Sequence, residues 1–157
     1  MNQSYSVFTL ANGLRVVCWH ISGLVSYIGA VVNAGSRDEN DSCHGLAHFV
    51  EHTIFKGTPK RKGWQISSRM EVVGGELNAY TSKEETMVYT NAPAGYEERA
   101  IELLADLITS SCFPKVEIDR EREVVVEEIN SYLDSPADSV YDEFEAVSYT
   151  HLTLPTK

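Results

Sequence analysis

Two histidines four residues apart, with an acid between them, constrain this chain more than any other feature. In His48-Phe49-Val50-Glu51-His52, a helix of 3.6 residues per turn projects His48 and His52 from one face, about one turn apart. That spacing lets two imidazoles reach one ion at roughly 2.0–2.1 Å each. Glu51 follows His48 by three residues and hangs on the same side without having to ligate. The competing reading is a surface helix with two solvated histidines. A catalytic zinc takes three protein ligands and leaves the fourth position for water. The fold must therefore bring a third ligand to this helix.

A long helical stretch from about Val116 to Leu133 offers Glu127 and Glu128. At helical spacing Glu128 neighbours Glu121, Val124, Val125 and Tyr132, a mostly apolar face. Glu127 neighbours Arg120, Glu123, Asn130 and Ser131, a polar one. An acid on the core-facing side needs a partner, because burying an unpaired carboxylate is costly. A divalent cation would supply one, so periodicity favours Glu128. Glu121 lies two turns earlier on the same face, placed to hydrogen-bond a ligating histidine. A salt-bridged or solvated helix face is the competing reading for both glutamates.

The rest of the chain reads as one α+β domain. The Tyr5–Leu10 and Leu14–His20 segments flank Asn12-Gly13 and predict a hairpin with a type I′ turn. Leu24–Asn33 is nearly continuous in β-formers and predicts a central strand buried on both faces. A polar loop, 34–42, leads into a helix over about Cys43–Phe55, which Gly57-Thr58-Pro59 ends. A second helix covers about Trp64–Val72 and closes at Gly74-Gly75. Strands follow near Glu76–Thr81 and Thr86–Asn91. Tyr96, Ala100, Leu103, Leu104, Leu107 and Ile108 recur at helical spacing. Ser135-Pro136-Ala137-Asp138 begins a further helix. The expected architecture is a mixed, mostly antiparallel sheet with helices packed largely on one face.

Composition excludes more than it identifies. The formal charge of −10 argues against nucleic acid, which draws Lys- and Arg-rich faces. No apolar run approaches the roughly 20 residues of a membrane helix. The N-terminus carries no basic start followed by an apolar stretch, so a cytoplasmic setting is expected, a bacterial one by the resemblance given below. Cys18, Cys43 and Cys112 are odd in number and widely spaced. They are read as free thiols rather than a disulfide framework or zinc ligands. His44 lies at or before the helix start and is read as a bystander. Lys60-Arg61-Lys62 is read as a solvated basic turn.

Four segments together carry a resemblance. They are Gly45-Leu46-Ala47-His48-Phe49-Val50-Glu51-His52, Phe55-Lys56-Gly57-Thr58, Gly74-Gly75-Glu76-Leu77-Asn78-Ala79-Tyr80-Thr81 and Glu121-Arg122-Glu123-Val124-Val125-Val126-Glu127-Glu128-Ile129. In this order they resemble the pitrilysin/insulinase metallopeptidases of the inverted H-x-x-E-H type, in their mitochondrial-processing-peptidase-like branch. The resemblance runs from about Tyr5 to Ala146. It implies one Zn2+ per chain held by His48, His52 and Glu128, the last of these 76 positions after His52 (52 to 128). It implies Glu51 as general base and Glu121 as a supporting carboxylate. It implies hydrolysis of internal bonds in peptides or unfolded proteins, which add as an extra strand along Gly74–Thr81 with Asn78 and Ala79 in contact. It also implies a second homologous half, and possible dimers, completing a substrate chamber.

The final residues, Val147-Ser148-Tyr149-Thr150-His151-Leu152-Thr153-Leu154-Pro155-Thr156, resemble the translation of a transposon-end adapter used in DNA sequencing libraries. The expected division is a truncated zinc-binding domain at 1–146 and a non-native tail at 147–157. A genuine short strand through Leu152 and Leu154 is the alternative. Two other functions compete with the peptidase. One is a scaffold subunit, which the intact motif disfavours. The other is a zinc hydrolase of small molecules, which leaves the Gly-Gly-x-x-Asn-Ala strand unexplained.

Overall fold

The computed structural model describes residues 5–136, Val140 and Phe144. Most of the helix predicted to start at Ser135 lies outside those residues, and the 147–157 tail lies wholly outside them. The element order is β1 (Tyr5–Thr9), β2 (Arg15–Trp19), β3 (Val25–Val32), α1 (Leu46–Thr53), α2 (Gly63–Glu71), β4 (Glu76–Thr81), β5 (Thr86–Pro93), α3 (Glu97–Ser110) and α4 (Lys115–Leu133). This is an α+β fold, and every strand pair among the described residues is antiparallel.

β1 and β2 form the predicted hairpin, with Val7 opposite Val17. The turn differs from the expected type. Gly13 is left-handed, with φ 88°, but Asn12 is not. Gly13 N–H donates to the Leu10 carbonyl and Leu10 N–H to the Leu14 carbonyl. The result is a β-turn over residues 10–13 that ends in a glycine bulge, the usual three-residue alternative. Asn12 Oδ1 accepts from the Leu14 amide at 3.1 Å.

The second sheet has the order β3-β5-β4. The expectation of a central β3 buried on both faces is therefore corrected: β5 is central and β3 is an edge. Its burial alternates, with Ser26, Ile28 and Ala30 turned inward and Val25, Tyr27 and Val31 exposed. A run of β-formers is equally compatible with a one-sided strand, because β-branched and aromatic residues suit a half-exposed pleat. The register places Ala79 opposite Val88 on one side of β5 and Ala30 opposite Val88 on the other.

Helices pack on one face of this sheet, as predicted. Val88 and Ala92 of β5 and Ala79 of β4 meet Ile66 and Met70 of α2 and Ala100, Leu103, Leu104 and Leu107 of α3. Burying a side chain of leucine size stabilises by about 1.5–3 kcal/mol, so this cluster is the main source of cohesion. Ser26 Oγ donates to Glu97 Oε1 at 2.6 Å and ties β3 to the start of α3. α1 packs against β4 on one side and α4 on the other. That last contact positions the site. No helix among the described residues is long and apolar enough to cross a membrane.

Candidate metal centre

α1 begins three residues later than its apolar pattern suggested. Gly45 precedes it with φ 81°, a left-handed conformation that a side chain resists, so 43–45 turn instead of extending the helix. The free amides at this end are met from outside the helix. Glu39 Oε2 accepts from Gly45 N–H and Glu39 Oε1 from Ala47 N–H, each at 2.7 Å. A carboxylate here satisfies orphan donors and offsets the positive end of the helix dipole. Both histidines then leave one face of a helix anchored at its start.

α4 brings its glutamates to that face. His52 Nε2 lies 3.2 Å from His48 Nε2 and 3.2 Å from Glu128 Oε2. His48 Nε2 lies 3.8 Å from the same oxygen. One atom from each of the three residues falls within 4.8 Å of the others. Ligand atoms on a tetrahedral zinc with bonds of roughly 2.0–2.1 Å stand roughly 3.3 Å apart. The three donors are thus spaced as a single ion would require. Two imidazoles and one carboxylate are also a donor set that suits zinc.

Glu128 is not buried as its apolar helical neighbours predict. α4 is mostly exposed, with Val125 its one buried residue among those described, and the Glu128 side chain is 52% exposed. Glu128 sits on the α1-facing side, but at the open mouth of the cluster rather than in the core.

Glu121 is the more enclosed of the two glutamates. Its Oε2 lies 3.3 Å from His52 Nδ1 and its Oε1 lies 2.5 Å from Lys56 Nζ. Burial pushes the Glu121 carboxyl up, but Lys56 and then His52 outweigh it and hold the group below the ordinary glutamate value. A carboxylate facing Nδ1 can accept a hydrogen bond from that nitrogen. Nε2, on the other side of the ring, faces His48 and Glu128.

Glu51 is half-buried on α1. Asn78 and Ala79 lie on β4, whose outer edge is unpaired among the described residues. The Asn78 side chain is on the exposed face, whereas Ala79 turns into the core. Thr81 Oγ1 donates to the Ala47 carbonyl at 3.4 Å, which seats the end of β4 beside α1. His44 stands outside the three-residue group, with Nε2 3.7 Å from Asp41. The three cysteines are free thiols.

Sequence reasoning assigned no role to Glu39 or Lys56. Lys56 did carry a signal, since positions 48, 52 and 56 continue one spacing of four. The Lys60–Lys62 turn is also not simply solvated. The Arg61 side chain is 14% exposed and binds both oxygens of Glu102, at 2.6 and 2.8 Å, as well as Asp106.

Residues 15–156 match the family described as Insulinase (Peptidase family M16). The chain is 39% identical over 148 residues to mitochondrial-processing peptidase subunit beta of Rattus norvegicus, covering 94% of this chain and 30% of that protein. It is 35% identical over 150 residues to an uncharacterized zinc protease of Rickettsia felis, covering 95% of this chain and 36% of that protein. Its fold is similar to that of a protease from Helicobacter pylori, with a TM-score of 0.84 and 31% identity over 88% of this chain and 34% of the other. The chain spans about a third of the length of these relatives.

Proposed function

The chain belongs to the insulinase family, peptidase family M16, and on that premise we propose that it is the metal-binding part of a zinc endopeptidase. The observation that carries the reading is the convergence of His48, His52 and Glu128 from two separate helices onto one point. These three residues would hold the ion. When bound, zinc supplies Lewis acidity that polarises a carbonyl and acidifies water.

The chain's own residues do the rest. Glu51 takes a proton from the attacking water and returns it to the leaving amine, as general base and then acid. Glu121 holds His52 in the tautomer whose Nε2 can ligate. The outer edge of β4 receives an extended peptide as an added strand, so main-chain hydrogen bonds bind it with little regard to sequence. Asn78 and Ala79 lie on that strand, and Thr81 ties its end to α1. Such an edge suits peptide or unfolded-protein substrates. In this proposal a second homologous half, from the same chain or a dimer partner, closes over the substrate.

Glu51→Gln tests the chemistry in the full-length protein. The variant is expected to keep its zinc and lose peptide cleavage; normal cleavage would remove Glu51 from the mechanism. Comparing peptides with simple esters separates this reading from a small-molecule hydrolase, since an enzyme of the latter kind would gain nothing from β4.

A further inference from the structure

Glu121 divides its two oxygens between two partners. Oε2 faces His52 Nδ1 at 3.3 Å and Oε1 faces Lys56 Nζ at 2.5 Å. We infer that Lys56 is a positioning residue for the metal centre: its ammonium holds the Glu121 carboxylate in the orientation that fixes His52. The inference rests on the metal reading proposed above.

The first reason is geometric. A carboxylate on a long helix can rotate about its side-chain torsions, and one hydrogen bond of 3.3 Å restrains it weakly. A second, charge-assisted contact on the other oxygen removes that freedom. The Glu121 side chain is 14% exposed and that of Lys56 28%, so water screens the pair less than it would a surface pair.

The second reason is that the backbone beside Lys56 is itself fixed. Lys56 N–H donates to the Thr53 carbonyl at 3.1 Å. Gly57 bridges to Lys62, and the Cys112 amide donates to the Gly57 carbonyl at 3.0 Å. A Cβ at residue 63 would stand 3.2 Å from the Lys56 carbonyl oxygen, so α2 starts in close contact with this peptide. The 57–62 loop is pinned in turn to α3, because Thr58 Oγ1 donates to Asp106 Oδ2 at 2.9 Å and Arg61 also binds Asp106. Lys56 therefore extends from an anchored point, unlike a lysine on a free loop. Through it the core reaches Glu121, and through Glu121 it reaches His52.

The test compares Lys56→Met, Lys56→Arg, Glu121→Gln and the Lys56→Met/Glu121→Gln pair in the full chain. Zinc affinity is read by competition with a chelator. The protonated nitrogen of His52 is read by 15N NMR of the metal-free protein. Residues supporting a metal ligand typically contribute about 10–100-fold in affinity. Lys56→Met is expected to weaken zinc about ten-fold and to mix the His52 tautomers. Lys56→Arg should stay close to wild type in both readings. In the Glu121→Gln background, Lys56→Met should add little, because both changes break one relay. Unchanged affinity and tautomer in Lys56→Met, or losses that simply add, would overturn the inference. Wild-type protein that binds no zinc through His48, His52 and Glu128 would overturn the metal reading and this inference with it.

Discussion

Asp106 of α3 and Arg61 of the loop before α2 form an ion pair in which the carboxylate is 1% exposed and the guanidinium 14%. Burial opposes the charge on Arg61, but the Glu102 hydrogen bond leads the opposing effects, with Asp106 adding to it, and its pKa is raised. Removing one partner of a buried pair leaves the other uncompensated and costs about 3–5 kcal/mol. Arg61 keeps Glu102 when Asp106 is removed, so Asp106→Ala is expected to destabilise the fold by less, about 1.5–3 kcal/mol for the lost charge-assisted hydrogen bonds, read from the shift in urea midpoint at unchanged slope. A loss under about 1 kcal/mol would mean that Glu102 and water satisfy Arg61 without Asp106.

Glu102 gives the same cluster a pH dependence. Its carboxyl is lowered, first by the hydrogen bond from Arg61, against burial, and further by the charges of Arg61 and Arg69. A carboxyl depressed in the folded state contributes stability above its unfolded value, near 4.5. That contribution is lost as pH falls through the folded value. Thermal stability should therefore fall as pH drops below that unfolded value, and Glu102→Gln should flatten that limb. Wild-type and variant melting curves that fall in parallel would rule Glu102 out as a contributor.

Ala79→Pro probes the edge of β4. Proline removes a main-chain donor from a strand proposed to receive substrate. Ala79 N–H now donates to Asn78 Oδ1 at 2.9 Å, and none of the three metal-facing side chains lies on β4. Peptide KM is expected to rise at least ten-fold, roughly one lost charge-neutral hydrogen bond plus altered strand geometry, with zinc content unchanged. An unaltered KM would remove β4 as the substrate edge.

Much of this molecule was legible in its sequence because the local patterns agreed with the final packing. The i, i+4 histidines lie on a helix, and the apolar stripe through Ala100, Leu103, Leu104 and Leu107 became the core face of α3. Helical phase separates Glu128 from Glu127, and Glu128 lies beside His48 and His52, although its side chain is exposed rather than buried. What stayed hidden depends on contacts between distant segments. Nothing near β3 in the sequence says that β5 will take the central place beside it. Glu39 caps α1 from eight residues before Ala47, outside the usual capping positions. Arg61 looks like one member of a basic turn until α3 brings Asp106 and Glu102 against it.

The central claim is that His48, His52 and Glu128 hold one zinc ion. Zinc content per chain, measured after dialysis for wild-type protein and Glu128→Gln, tests it most directly. The account predicts about one zinc per wild-type chain and a loss of most of it in a variant that remains folded. Folded wild-type protein without zinc, or a variant that retains it in full, would contradict the account.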